Sequence, residues 1–579
     1  MKKLIITLSL TAMALAADAQ SSTKITISPA ATFQTLRSFG ASDCWTADYV
    51  GRYFIDGEKE KAARWLFSQE TDAEGNPLGI ALSQWRINLG AGSASQGDAS
   101  NIEDKTRRTE CFLNADGKTY DWTRAQGQQW FMQKAKSYGV PDFLLFSNAP
   151  LIYFTKNRLA NNKDNKYSGS ILKADSYADF AAYLTECAFH FAKAGYNIGY
   201  ISPVNEPAFS WTDGQEGSPW TNTEIAQLAK EIDKQLTVKD LTTKILLPEA
   251  SAWDRLYEQC NDYGGRASNQ IDAFWNSHNT NTYIGGLTHL APVVAGHSYW
   301  TFRTNDELEN VRTKVKEAAS KYNVETAQTE WCMLDKEPET AAGFPASYND
   351  ASYMDIALYM AKVIYADLTF ANVSSWSYWT AMAQEKWSQK DRFYLLRLNT
   401  PGDSGNESYG DIQTGGTVSD SKNLWVLGNY SRFVRPGYRR IAMNVPNGGL
   451  NGLMGTAFIS PDNTTVVAVL VNYGYLRRNV SFSIDGFTTL SIDTYTTDAD
   501  NNLKHSAVSQ DEKLSLAKSS VTTVVMKVST STGIDHITTE SPNVNHSVYD
   551  LSGHHVDGAL LRHGVYIING KKTAVSNMK

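Results

Sequence analysis

The sequence predicts an α/β fold, a (β/α)8 barrel with an attached all-β side sandwich, on three observations. Eight short apolar runs bounded by turn residues recur through the first three quarters of the 579 residues. Helical stripes fall between them, and after about residue 440 the stripes give way to alternating, strand-like runs. The eight runs are Leu36–Ser42, Leu82–Leu89, Asp142–Asn148, Ile198–Asn205, Lys244–Ala250, Val293–Tyr299, Val324–Glu330 and Val373–Trp379, with starts 31 to 60 residues apart. That spacing leaves room for a helix and two loops each time, as a barrel of alternating strands and helices requires. Between the fourth and fifth runs, Ile225, Leu228, Ile232 and Leu236 form one stripe of a helix over Thr221–Leu236, opened by a capping box of Thr221 and Glu224. A doubly wound open sheet would share the alternation but should carry a phosphate-binding glycine fingerprint after its first strand. The one candidate, Gly90-Ala91-Gly92, continues as Ser93-Ala94-Ser95 and reads as a flexible loop.

The sandwich is read from Thr464–Val471, Val480–Ile484, Leu490–Tyr495 and Val521–Val528, with polar turns at Asp498–Asn502 and Asp511–Lys513. Lys24–Ser28 also alternates and is expected to join this sheet before the chain enters the barrel. The expected division is a leader over 1–19, N-terminal strands over 20–36, the barrel over 37–425, the sandwich over 426–528, and a linker with a tail over 529–579. Ser529–Glu540 is the Ser/Thr-rich linker, and Ser547–Leu551 with Gly564–Ile568 are two further strand-like runs.

Lys2 and Lys3 precede an apolar run from Leu4 to Ala16, and Ala17-Asp18-Ala19 supplies the small residues that a signal peptidase reads. A secretory leader cut before Gln20 is expected, which places the mature protein outside the cytoplasm: secreted, periplasmic or on the cell surface. No later stretch approaches the ~18 consecutive apolar residues of a transmembrane helix, so no membrane span is expected. A net charge of −7 carries no basic footprint for nucleic acid, and 42% apolar with 20% charged residues excludes wholesale disorder. Cys44, Cys111, Cys187, Cys260 and Cys332 form no CxxC pair, and their disulfide pairing stays open. Neither an HExxH nor a clustered His/Asp set is present, so no metal or organic cofactor is expected. A monomer is expected. The 15 Trp, 29 Tyr and 22 Phe suit core packing and sugar faces equally.

In such a barrel the chemistry lies at the carboxyl ends of the strands, and two of those ends are glutamates. The fourth run closes Ser202-Pro203-Val204-Asn205-Glu206-Pro207, and the seventh closes Gln328-Thr329-Glu330-Trp331-Cys332. Strands four and seven face each other across the barrel mouth. Two carboxyls across a sugar-sized gap are what glycoside hydrolysis needs, one protonating the leaving oxygen and the other attacking or activating water. Other tips fit the task. Arg86 can pair with a neighbouring carboxylate, Tyr299 can orient Glu330, His297 and Trp300 stand beside it, and Asn205 can bond the sugar 2-hydroxyl. Trp379 offers a platform beneath a ring, whereas Trp376 reads as core.

Phe39-Gly40-Ala41-Ser42-Asp43, Ser202–Pro207, His297–Trp300, Glu330 and Leu427-Gly428-Asn429-Tyr430-Ser431-Arg432-Phe433-Val434-Arg435-Pro436-Gly437 together resemble glycoside hydrolase family 30, closest to its endo-β-1,6-galactanase-like branch. The resemblance covers roughly Phe33 to Val528. It implies a barrel fused to a side sandwich built from both chain ends, and retention of anomeric configuration with carboxyls roughly 5–5.5 Å apart. It implies Glu206 as acid/base and Glu330 as nucleophile, with Asn205, Arg86 and Tyr299 in support. Asp43, Asn148 and Trp379 are implied to line the subsite of the non-reducing sugar, and the Arg-Pro-Gly segment to return the chain to the sandwich. There are departures: Ser147-Asn148-Ala149-Pro150 lacks the aromatic residue of glucosylceramide-cleaving relatives, and Gly90–Gly139 is long enough to shape extra subsites. The tail, with Tyr549–Gly553 and Gly564–Ile568, is similar to the sorting tails of secreted Bacteroidetes proteins. Beside an endo-β-1,6-galactanase-like enzyme stand a β-1,6-glucanase, a xylanase or an exo-acting β-glycosidase of the same family. A carbohydrate-binding surface protein without turnover and a purely adhesive envelope protein are the readings from other classes.

Overall fold

The computed structural model describes residues 22–386, 390–402, 410–509 and 513–530, and of the tail 548–551, 554–556, 561, 563–568 and 571–575. The expected leader and most of the Ser/Thr-rich linker lie outside the described residues. A first strand, β1 (Thr23–Thr35), precedes eight parallel strands: β2 (Ser38–Ser42), β3 (Gln84–Asn88), β4 (Asp142–Phe146), β5 (Ile198–Ser202), β6 (Lys244–Ala250), β7 (Leu290–His297), β8 (Glu325–Trp331) and β9 (Val373–Tyr378). They close in sequence order into a barrel, with β2 pairing β9 from Ser38↔Ser375 to Ala41↔Tyr378. All eight sequence runs are barrel strands.

Period-two alternation sorts the side chains of these strands between two cores. On β4, Phe143 and Leu145 join the cluster packed beneath the outer helices, while Leu144 and Phe146 join the cluster inside the barrel. On β7, Leu290 and Val294 face out, and Ala291, Val293 and Ala295 face in, so the next inward position is His297. On β3, Trp85 packs edge-on against Phe67 at 5.0 Å outside the barrel, and Arg86 lies over Phe146 inside it. Apolar side chains therefore fill the barrel, and polar ones crown it.

The helix Asn222–Val238 shows how local chemistry sets the frame. Glu224 N–H donates to Thr221 Oγ1 at 3.2 Å, and Thr221 N–H donates back to Glu224 Oε2 at 2.8 Å. Ile225, Leu228, Ile232 and Leu236 are buried beneath it. Thr221→Ala is expected to lower stability by about 1 kcal/mol, read as a shift in the denaturant midpoint with activity unchanged.

Beyond β9 the chain makes a three-stranded sheet that the sequence reading did not anticipate: β10 (Met382–Gln384), β11 (Leu396–Asn399) and β12 (Thr417–Asp420). A helix over Lys422–Ser431 follows, across the expected boundary at 425, and joins the two domains. Its Asn429 amide donates to Tyr495 O and Thr523 Oγ1, while Arg432 just beyond it donates to Ser68 O and Gly79 O at 3.1 and 3.0 Å. The Arg-Pro-Gly segment leads from there into the sandwich.

The sandwich strands are β13 (Arg439–Asn444), β14 (Leu453–Ile459), β15 (Thr465–Asn472), β16 (Arg478–Ile484), β17 (Phe487–Thr497), β18 (Lys504–Val508), β19 (Leu514–Leu516) and β20 (Ser520–Thr530). With β1 they form one nine-stranded sheet in the order β18-β17-β20-β15-β14-β13-β1-β16-β19. β1 pairs antiparallel with β13 and parallel with β16. Residues of β1, β13 to β16, β19 and β20 share one apolar cluster, so the sheet folds over on itself around a core. β15 is buried on both faces: Val467, Val469 and Val471 pack toward the barrel, and Val466, Ala468 and Leu470 pack into the sandwich. In the tail, β21 (Val548–Tyr549), β22 (His555–Val556), β23 (Gly564–Ile568) and β24 (Lys571–Val575) make a separate four-stranded sheet.

Candidate active site

The crown of polar residues at the barrel mouth contains a single connected cluster. Arg86, rising from β3, is fully buried; its Nη1 lies 2.7 Å from Glu330 Oε2, and its Nη2 donates to Asn205 Oδ1 at 3.1 Å. Tyr299 Oη donates to the other oxygen of Glu330 at 3.1 Å. Both oxygens of Glu330 thus face a donor. The register between β7 and β8 slips where Gly296↔Gln328 is followed by His297↔Glu330. This irregularity turns two successive residues, Thr329 and Glu330, toward the cluster, the use strand irregularities commonly serve beside active sites.

Glu206 stands across from Glu330, beyond the end of β5. Its backbone takes a left-handed conformation (φ 43°), held by its N–H donating to Glu249 O at 2.9 Å and by Trp211 Nε1 donating to its carbonyl at 3.1 Å. Non-glycine residues in that region cost about 1–3 kcal/mol each and gather at functional sites. His297 places Nδ1 2.9 Å from Glu206 Oε1 and Nε2 3.0 Å from Glu249 Oε2. Single ligand atoms of Glu206, His297 and Glu330 all lie within 4.8 Å of one another. Both ring nitrogens of His297 are engaged with carboxylates, which leaves no free lone pair on it for a cation.

The burial of this cluster sets its protonation. Glu206 is pushed above the usual carboxylate range first by burial; its hydrogen bond to His297 and the charge of that ring oppose this, and the charge of Glu330 adds to it. Burial alone would lower His297, but the charge of Glu330 and the hydrogen bonds to Glu206 and Glu249 outweigh it and raise the ring to about 10. Burial would raise Glu249, yet the His297 hydrogen bond, the Arg86 and His297 charges and the Thr329 hydroxyl hold it below its ordinary value.

Above the cluster lies a cleft of about 570 Å³, a size suited to a small ligand. Asn205, Glu206, Tyr299, Trp300, Glu330 and Trp379 line it, as do Phe209, Trp211, Gln215 and, from the long segment after β3, Asp104, Thr106 and Arg107. Trp379 meets Trp45 edge-on at 5.1 Å, and Arg107 lies 4.7 Å over the Trp45 ring. Phe209 packs against Trp300 at 5.3 Å on the Glu206 side. Of the residues named from sequence, Arg86 and His297 lie under the floor rather than in the cleft. Asp43 and Asn148 are nearly fully buried beside it. Asp43 accepts from Asn88 N at 3.0 Å and from the Gln128 amide, and it lines a neighbouring cavity of about 270 Å³. Burial raises its carboxyl to about 7. Asn148 donates to Asn88 Oδ1 at 3.3 Å. Trp376 is core, its Nε1 donating to Asp367 at 2.9 Å.

Sequence reasoning missed Glu249. It stands one residue before the end of β6, a lone carboxylate in the run Leu246-Leu247-Pro248-Glu249-Ala250, the same signal that marked Glu206 and Glu330. The aromatic wall of Phe209 and Trp211 was also missed, because it sits on a loop whose path no periodicity reveals.

A family model, O-Glycosyl hydrolase family 30, matches residues 22–392, through the whole barrel. The chain belongs to glycoside hydrolase family 30. An endo-beta-1,6-galactanase of Hypocrea rufa is 26% identical over 254 residues, 41% of this chain and 51% of that protein. An exo-beta-1,6-galactobiohydrolase of Bifidobacterium longum subsp. longum is 24% identical over 138 residues, 23% of this chain and 9% of that protein. The chain spans about half, or less, of the length of these curated relatives. A crystal structure of a conserved exported protein from Bacteroides fragilis superimposes with a TM-score of 0.78 at 32% identity, covering 86% of this chain and 99% of that one. Family 30 membership and the (β/α)8 barrel with its attached β-sheet domain agree with the fold expected from sequence. Among the described residues no helix is long and apolar enough to cross a membrane.

Proposed function

We propose that this family 30 chain is an exported retaining glycosidase that cleaves β-1,6-linked galactan within the chain, by two displacements through a glycosyl-enzyme on Glu330. The observation that carries the reading is the pair of buried carboxyls, Glu206 and Glu330, with oxygens within 4.8 Å of each other at the floor of one cleft. Retaining enzymes place their carboxyls about 5–5.5 Å apart, whereas inverting ones need about 6.5–9.5 Å to admit water between them.

The residues divide the work. Glu330, fixed by Arg86 and Tyr299 on separate oxygens, attacks the anomeric carbon. Glu206, which burial keeps protonated to higher pH than an exposed glutamate, gives its proton to the departing oxygen and then takes one from the water that releases the sugar. Asn205, its carbonyl oxygen held by Arg86, directs its amide hydrogens at the 2-hydroxyl of the bound ring. The aromatic walls, Trp45 with Trp379 on one side and Phe209 with Trp300 on the other, offer faces to sugars on both sides of the scissile bond.

The names of the two curated relatives support β-1,6-galactan as substrate, and a cleft walled on both sides supports internal cleavage. The leader expected over residues 1–19 and the similarity to a conserved exported protein support a location outside the cytoplasm. The test is product analysis after incubation with β-1,6-galactan, β-1,6-glucan, xylan and aryl glycosides. A ladder of galacto-oligosaccharides from β-1,6-galactan is expected. Galactobiose as sole product would replace internal by exo action, a preference for another polymer would replace the substrate, and binding without products on every substrate would reject the enzyme.

A further inference from the structure

Glu249 takes no step in the double displacement, yet it is fully buried and its side-chain hydrogen bonds lead into the cluster. Ser202 Oγ donates to its Oε1 at 2.8 Å, Thr329 Oγ1 donates to its Oε2, His297 Nε2 lies 3.0 Å from the same oxygen, and Arg86 Nη2 lies 3.8 Å away. Buried carboxylates are expensive unless paired and fully hydrogen-bonded, and this one is both.

We propose that Glu249 is a positioning residue for the acid–base step: it holds His297 as an imidazolium aimed at Glu206, and its charge fixes how many protons the His297–Glu206 pair carries. The proposal rests on the reading of Glu206 as acid/base. The charged groups that face His297 and Glu206 are Arg86 from β3, Glu249 from β6 and Glu330 from β8, joined by the neutral Ser202, Tyr299, Thr329 and Cys332.

Counting charges shows what Glu249 adds. Two cations, Arg86 and His297, stand among three carboxyls. A buried cluster is neutral when one of those three keeps its proton, and Glu206, whose carboxyl is pushed up while that of Glu249 is held down, is the one. When Glu330 becomes an ester it loses its charge, and Glu206 gives up its proton to the leaving group. Two cations then face two carboxylates, and the count is unchanged. Without the charge of Glu249, two cations would face two carboxyls from the start. Imidazole is a stronger base than a carboxylate by about 2 pH units, so His297 would keep the remaining proton and Glu206 would ionise.

Glu249→Gln is therefore expected to move the alkaline limb of the kcat/KM profile to lower pH by at least about one unit. Above that limb the loss is large on galactan and small on aryl glycosides with good leaving groups, which need little proton donation. Glu249→Asp, which keeps the charge, is expected to restore most of the limb. A folded Glu249→Gln protein with an unmoved limb would overturn the proposal. The ring of His297 is read independently by 15N-histidine NMR of the wild-type protein, where both ring nitrogens are expected to stay protonated to about pH 9. A singly protonated ring at neutral pH in an active wild-type protein would overturn the role of Glu249 alone. A wild-type protein that cleaves no glycoside would overturn the reading of Glu206 beneath it.

Discussion

Glu330→Gln is expected to lower kcat/KM by about 10⁴ to 10⁶-fold on every substrate the wild-type protein cleaves, with little change in melting temperature. The amide cannot attack the anomeric carbon, so no glycosyl-enzyme forms and both displacements are lost together. The fold should tolerate the change. The glutamine carbonyl still accepts from Arg86, Tyr299 can turn its hydroxyl toward Cys332 Sγ, 3.8 Å away, and Glu249 remains as a second carboxylate near the guanidinium. Steady-state rates paired with a melting curve check this, and a loss below tenfold in a folded variant would remove Glu330 from the nucleophile's role.

Glu206→Ala separates the two carboxyls. Its loss is expected to be about 10² to 10⁴-fold on galactan, where the leaving alcohol needs a proton, and much smaller for glycosides of acidic phenols. The side chain is nearly fully buried beside the cleft, so its removal opens room on the face from which water attacks the intermediate. Azide should occupy that room, restore turnover of the activated glycoside and yield a glycosyl azide of retained configuration. Rescue of the Glu330→Ala protein instead, giving the azide of inverted configuration, is the complementary result. Azide without effect on Glu206→Ala would argue that this carboxyl does not govern the second displacement.

The two glutamates were legible in sequence because a strand's end carries its chemistry, and eight apolar runs locate eight ends. The same parity argument places His297: Ala291, Val293 and Ala295 face the barrel interior, so the next alternate residue follows them inward. Glu249 occupies a strand end as well, but its importance lies in a three-residue contact with His297, Ser202 and Thr329 that no spacing encodes. Thr329 keeps the inward parity of Ala327, but the β7–β8 register slip that turns Glu330 inward beside it is not revealed by a period of two.

Elsewhere the missing parts have different causes. β13 and β14 surround turns rich in Gly and Asn, and their short runs alternate too weakly to stand out. The sheet of β10, β11 and β12 pairs residues 14 to 24 positions apart, a pairing set by tertiary contacts rather than by local pattern. Nor could sequence place Asp43: its carboxyl turns to Asn88 N and Gln128 in the adjoining cavity instead of the cleft that holds Glu206 and Glu330.

The central claim is double displacement between Glu206 and Glu330, and the stereochemistry of the first-formed sugar tests it most directly. Proton NMR of the wild-type protein acting on a β-glycoside it cleaves should show the β-anomer first, with the α-anomer growing in only as mutarotation proceeds. The α-anomer appearing first would mean a single displacement by water, and would contradict both the closeness of the two carboxyls and the role given to Glu330.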